Sequence, residues 1–130
     1  MRTIIAGSRE APAEETIAAI ESCPWRAQIS RVVSGKAKGP DSHGEHWAYT
    51  NDIPVDDYPA DWDRYGKAAG AIRNEEMACN ADALIAVWDG TSRGTADMVR
   101  RAEAKGLKVH VHRYVPEALV QLRKELKKGL

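Results

Sequence analysis

The chain has no excess of charge of either sign: Lys plus Arg and Asp plus Glu both number 19 in 130 residues. No global field therefore draws it to nucleic acid or to an anionic membrane, and any affinity for an anion has to come from a local site. Cysteine is nearly absent. Cys23 and Cys79 fall near the ends of two predicted helices, without metal-ligand spacing. They read as reduced thiols of a cytoplasm-like compartment and argue against a disulfide framework. No apolar run approaches membrane-spanning length, and the apolar part of residues 1–7 is too short for a signal peptide. The expectation is a soluble cytoplasmic protein with no membrane partner. Repeats and low-complexity tracts are missing too. What remains is one domain over residues 1–130, long enough to bury roughly two-thirds of its unfolded surface without disulfides or metals.

The pattern that is present centres on residues 83–95. Ala83-Leu84-Ile85-Ala86-Val87-Trp88 is a short apolar run without alternation, as a strand buried on both faces of a parallel sheet requires. It leads through Asp89-Gly90-Thr91-Ser92-Arg93-Gly94-Thr95 into a helical pattern predicted over 94–105, with Gly106 at its C′ position. Further strands are predicted over 3–6, 29–34, 55–58 and 107–112, the third being the weakest. Helices are predicted over 12–22, 41–50, 71–79 and 116–128. Pro12 suits the first turn of its helix, Trp47 faces inward, and Leu119, Val120, Leu122 and Leu126 make the last helix amphipathic. Residues 60–70, with Trp62 and Tyr65, read as a long irregular loop of the functional rather than the disordered kind. Strand and helix thus alternate five times. The fold class is α/β: a three-layer, doubly wound, Rossmann-like domain of five mostly parallel strands with helices on both faces.

Three strand-to-helix junctions carry the same chemistry: Gly7-Ser8-Arg9, then Ser34-Gly35-Lys36-Ala37-Lys38-Gly39, then Asp89 to Thr95. Glycine lets the backbone approach a ligand, the hydroxyls donate, the cations attract, and each helix start supplies unpaired N–H groups. In a doubly wound sheet these junctions share one edge, and ligands sit where the strand order reverses. With the first and fourth strands adjacent, the first and third loops flank the crevice and the second lies beside it. Taken singly, each loop also reads as an ordinary turn with a capping residue.

Other residues are weaker signals. Asp41 reads as a helix cap before it reads as a ribose ligand, and Arg73 and Asn74 start a helix that reaches the same edge. His43 and His46 lack a third metal ligand nearby, so no metal site is expected; His110 and His112 share one face of a strand. No Ser, His and acid set stands out for nucleophilic catalysis. Trp62 and Tyr65 read either as a wall on which a base stacks or as a plug over the sheet edge.

The blocks Ile4-Ile5-Ala6-Gly7-Ser8-Arg9, Val33-Ser34-Gly35 with Gly39 and Asp41, Pro59-Ala60-Asp61-Trp62 with Tyr65 to Gly70, Ile72-Arg73-Asn74, and Gly94-Thr95-Ala96-Asp97-Met98 resemble the YspA-type branch of the SLOG superfamily. That superfamily unites Rossmann-like relatives of the LOG phosphoribohydrolases and the DNA-processing protein DprA, and many members occur in phages and bacteria. The resemblance covers residues 3–111 and implies a site for a nucleotide or nucleotide-derived ligand. It departs from the LOG motif Pro-Gly-Gly-x-Gly-Thr-x-x-Glu at the glutamate that takes part in glycosidic cleavage: Met98 stands there and cannot move a proton. Asp97, one residue earlier, points about 100° away on a helix.

The sequence therefore favours a module that binds a nucleotide-type ligand as sensor, carrier or sponge, with no cofactor required. A nucleoside monophosphate hydrolase using Asp41 or Asp97 is the alternative. Single-stranded DNA binding ranks third, since a basic stripe is lacking. Relatives of this fold pair through helices, so a homo-oligomer is expected.

Overall fold

In the computed structural model, which describes residues 1–129, five strands lie side by side in one sheet: β1 (Arg2–Gly7), β2 (Arg31–Ser34), β3 (Val55–Asp57), β4 (Ala83–Trp88) and β5 (Lys108–Arg113). Every pairing is parallel, and the order is β3-β2-β1-β4-β5. The helices are α1 (Ala13–Glu21), α2 (Pro40–Thr50), α3 (Trp62–Tyr65), α4 (Ala69–Cys79), α5 (Arg93–Ala104) and α6 (Glu117–Lys128). Alternate residues of the central strands point to opposite faces, and each face has its own core. Ile5, Val32, Ile85 and Val87 pack with Ala19, Ile20, Trp47 and Ala48 of α1 and α2. Ile4, Val33, Leu84 and Ala86 pack with Met77, Ala78, Met98 and Ala102 of α4 and α5. This is the expected three-layer α/β architecture, with all five strands parallel.

The order fixes where a ligand can enter. From β1 the chain builds outward through β2 to β3, then crosses back to lay β4 on the other side of β1. The connections leaving β1 and β4 therefore diverge, and a crevice opens between their carboxyl ends.

Four expectations are adjusted. β2 starts at Arg31, because Arg26–Gln28 form a 3₁₀ turn and Ile29 is buried in the first core instead. Residues 60–70 are not an irregular loop. The Asp61 carboxylate accepts from Arg64 N at 3.1 Å and caps α3, and a 3₁₀ turn at Gly66–Ala68 runs on into α4. Gly66, at φ +54°, ends α3 and begins the 3₁₀ turn. The strand after α2 ends at Asp57. Finally, α6 buries none of its residues: Leu119 and Leu122 are 48% exposed and Leu126 63%. Its apolar stripe is not turned onto the sheet.

Elsewhere the local signals match the structure. Pro12 precedes α1, and Gly106 follows α5 at φ +75°. His110 and His112 both face α1, one edge-on to Trp25 and close to Ser22, the other 2.6 Å from the Glu15 carboxylate. His43 bonds Thr16 at 3.1 Å and so ties α2 to α1.

Candidate functional site

A cavity of about 1000 Å³ opens at the carboxyl edge of the sheet, between the loops that follow β1, β2 and β4, with the start of α4 as its fourth side. Ala6, Met77 and Met98 make an apolar floor; Pro59, Ala60 and Trp62 form one wall.

The loops are locked to one another before any ligand is considered. Ser8 N donates to Val87 O at 2.9 Å, and the Ser8 hydroxyl accepts from Asp89 N at 3.1 Å, which ties the loops after β1 and β4 together across the switch point. Gly7 is pressed against the Val87 carbonyl, where a Cβ has no room. In the second loop, the Asp41 carboxylate turns back to accept from Gly35 N at 2.9 Å and Ala37 N at 3.4 Å. Arg73 closes the same loop from outside, donating to Gly35 O at 3.1 Å. A Cβ on Gly35 would lie 2.7 Å from Arg73 Cδ and 3.0 Å from Asp41 Oδ2, so a side chain there would push Arg73 off the loop. Asn74, buried beside Arg73, donates to Asp97 Oδ2 at 2.9 Å and to Gly94 O at 3.4 Å, joining α4 to the start of α5.

The third loop is an Asx turn followed by a capped helix. Asp89 Oδ1 accepts from Thr91 N and Ser92 N, both at 2.8 Å, and Ser92 caps α5 by accepting from Thr95 N. The Thr95 hydroxyl donates to the Ser92 hydroxyl at 3.1 Å. Among the described residues this leaves the N–H groups of Arg93 and Gly94 without a partner at the mouth of the cavity. Gly94 is helical and meets nothing within 4 Å of an added Cβ; neither strain nor packing requires glycine there.

Charge at the site is divided between groups bound internally and groups left free. Burial pushes the Asp41 carboxyl up, against the bonds from Ala37 and Gly35 and the charge of Arg73. Burial acts the same way on Asp97, but bonds from Arg101 and Asn74 outweigh it and hold that carboxyl below the ordinary range; Arg100 is bonded to it as well. Asp89 is likewise lowered, its partial burial outweighed by the Thr91 and Ser92 N–H bonds. Lys36, at φ +61°, directs its amine onto Glu45 Oε1 at 2.6 Å, which raises its pKa, with Asp57 3.8 Å away. Arg9, Lys38, Lys67 and Arg93 line the cavity and form no ion pair among the described residues.

With this geometry in hand, the chain can be set beside known proteins. No protein-family model matches it, and no solved structure does. It is 36% identical over 84 residues to the Gene 61 protein of Mycobacterium phage D29, an overlap of 60% of this chain and 67% of the phage protein. The chain belongs to the Gene 61 family. That name states no activity for the Gene 61 family.

The cavity of this family member gathers most of the residues picked out in the sequence: Gly7, Ser8, Arg9, Gly35, Lys36, Asp41, Trp62, Arg73, Asn74, Asp89, Ser92, Arg93, Gly94, Thr95 and Asp97. Five others fall outside it. Ser34 is fully buried and donates to Glu45 at 3.0 Å. Gly39, at φ +82°, backs onto the Arg9 carbonyl; Gly90, at φ +88°, lies under the Arg113 guanidinium. Thr91 points to solvent. Tyr65 is covered on one side by Arg64, 5.0 Å from its ring, and is no part of the wall. Asp41 does not cap its helix, because its carboxylate bonds the loop that precedes it. Lys38, Lys67 and Met77 were not among the site candidates. Lys38 sits in the second loop itself, whereas the placement of Lys67 depends on the 3₁₀ turn and that of Met77 on an ordinary core pattern.

Among the described residues no cluster of His, Cys, Asp or Glu is arranged to hold a metal ion, and no helix is long and apolar enough to cross a membrane.

Proposed function

We propose that this protein binds a nucleotide or nucleotide-derived small molecule in the cavity at the carboxyl edge of its sheet, acting as a sensor, carrier or sponge. The observation that carries the proposal is the mouth of the cavity. Unpaired N–H groups of Arg93 and Gly94 open α5 there, next to free guanidinium groups of Arg9 and Arg93 and to a glycine that no intramolecular contact requires. A phosphate is suited to that position, since it accepts from several N–H donors and gains from the helix dipole. Trp62, about half exposed on the opposite wall, offers a face for a base. The likeness to the SLOG superfamily belongs to the same proposal.

Binding is favoured over cleavage by the state of the acids. Asp97 has both carboxylate oxygens on protein donors, Asp41 has Oδ2 on the Gly35 and Ala37 N–H groups, and Met98 is buried where the LOG motif has its glutamate. The Asp97 carboxylate, held by Asn74, Arg100 and Arg101, is not free to protonate a leaving base.

Thermal-shift measurements with AMP, ADP-ribose, NAD, cyclic nucleotides and GTP test the proposal. At a hundred times its dissociation constant a ligand stabilises by roughly 2.7 kcal/mol, about 10 °C for a domain of this size. A shift of that order with at least one compound, and no free base by chromatography after incubation with AMP, CMP and GMP, is the expected result. No shift with any of them in folded protein refutes it.

A further inference from the structure

We infer that Asp41 accepts a hydrogen bond from a sugar hydroxyl of the ligand, so that the cavity takes ribonucleotides in preference to deoxyribonucleotides; the inference rests on the nucleotide reading above and narrows it. Three aspartates line the cavity, and they are disposed differently. Asp97 has both oxygens on side-chain donors, and Asp89 is only partly buried, within reach of bulk water. Asp41 is 4% exposed and gives a single oxygen, Oδ2, to the Gly35 and Ala37 N–H groups. Its Oδ1 has no donor among the described residues, yet it is not sealed from solvent in the way that the Thr3 hydroxyl, the Trp25 indole N–H and the Tyr114 hydroxyl are. Since Asp41 lines the cavity and is otherwise buried, the cavity is where that oxygen opens.

A carboxylate oxygen covered by a ligand without a hydrogen bond is costly, and only a donor relieves it. Phosphate oxygens accept and carry the same sign of charge, so a phosphate is turned away from Asp41. The donors that a nucleotide offers are its sugar hydroxyls and the N–H groups of its base. The strand order chooses between them. Along its carboxyl edge the sheet runs β4, β1, β2, β3, each step about 4.8 Å. The open start of α5 with Arg93 follows β4, Arg9 follows β1, Asp41 follows β2, and Pro59, Ala60 and Trp62 follow β3. A phosphate at the first of these and a base against the last leave the sugar at Asp41, in the order in which a nucleotide is built. A hydroxyl there donates to Oδ1 while Oδ2 keeps the Gly35 and Ala37 amides. Such a bond is charge-assisted and shielded from water, and it is lost with the hydroxyl.

The test is calorimetric titration of the whole protein with AMP, GMP, CMP and UMP, then with the 2′-deoxy and 3′-deoxy forms of whichever binds tightest, on the parent and on Asp41→Asn. In the parent, loss of at least one of the two hydroxyls is expected to weaken binding by about ten-fold or more. Asparagine keeps its carbonyl on the Gly35 N–H and puts an NH2 donor where Oδ1 was, so in Asp41→Asn that ratio is expected to fall below about three. Removing a negative charge near an anion strengthens the binding of both forms alike, and taking their ratio cancels it. The preference of the parent is read without any variant. Equal affinity of the parent for the ribonucleotide and both deoxy forms overturns this inference and leaves the nucleotide reading standing. A preference that survives intact in Asp41→Asn overturns the assignment to Asp41. No binding by any of the four monophosphates overturns the inference, and the nucleotide reading then stands only if another compound of the thermal-shift set stabilises the protein.

Discussion

Replacing Asp41 by asparagine separates the two things a buried carboxylate does here: it accepts hydrogen bonds, and it carries a charge. Asp41 is 4% exposed, and its Oδ2 takes Gly35 N at 2.9 Å and Ala37 N at 3.4 Å. Burial raises its pKa above the ordinary 3.8 because loss of hydration outweighs the N–H bonds and the nearby Arg73 charge. A raised folded value means that the contribution of Asp41 to stability is fully present below pH 3.8 and is lost as pH rises through the folded value. At pH 7 the native state therefore holds a charge that the unfolded chain accommodates better. Asparagine keeps an acceptor for Gly35 N–H and removes the charge. Asp41→Asn is expected to be at least as stable as the parent at pH 7, with the difference fading below about pH 4. Asp41→Ala strands the buried Gly35 N–H and opens a void beside Arg73. Its expected cost is about 2–4 kcal/mol, of which the orphaned donor accounts for roughly 1–3. Chemical denaturation of the three proteins at pH 7 and pH 4 provides the numbers. If Asp41→Asn loses as much as Asp41→Ala at pH 7, the charge itself holds the loop and the reasoning fails.

Three further expectations concern the cavity. Gly94→Ala is expected to leave stability unchanged or raise it by up to about 1 kcal/mol while weakening nucleotide binding more than ten-fold. Gly35→Ala, forced against Arg73 and Asp41, is expected to cost about 1–3 kcal/mol of stability; denaturation and titration of both variants read the contrast, and tight binding by Gly94→Ala would remove the ligand from that position. Trp62→Ala is expected to lose about 1–3 kcal/mol of binding and under about 1 kcal/mol of stability, and equal losses would make the indole a plug over the sheet edge. Arg93→Gln is expected to leave the melting temperature unmoved and to lower affinity by more than ten-fold at low salt, an effect that shrinks at high salt; a loss independent of salt would mean that Arg93 shapes the loop and makes no contact with an anion.

β1 and β4 were legible as short apolar runs without alternation, whereas β3, Val-Asp-Asp, carries almost no apolar signal. The adjacency of β1 and β4 enters the sequence reading only as a condition for the crevice; the strand order β3-β2-β1-β4-β5 meets it. The chemistry of the three loops was legible as composition but not as direction. Ser8 is held by a backbone N–H 81 residues away, Ser34 turns to Glu45, and the Ser92 and Thr95 hydroxyls bond each other. Those partners belong to other elements or to the local turn, and spacing alone does not say which is chosen. Asp41 faces backward for the same reason: its carboxylate takes the Gly35 and Ala37 amides of the loop before it, and α2 is left with no side-chain cap. The stripe on α6 read as a packed face because 3.6-residue periodicity reports that a face exists, not that a neighbour covers it.

The central question is whether an anion settles among the loops after β1, β2 and β4. Amide chemical-shift mapping during titration with ADP tests this directly. The largest shifts are expected at Ser8 and Arg9, at Gly35 to Lys38 and at Arg93 to Thr95, with α6 silent. Saturating ADP that moves none of these amides, or moves those of α6 instead, would contradict it.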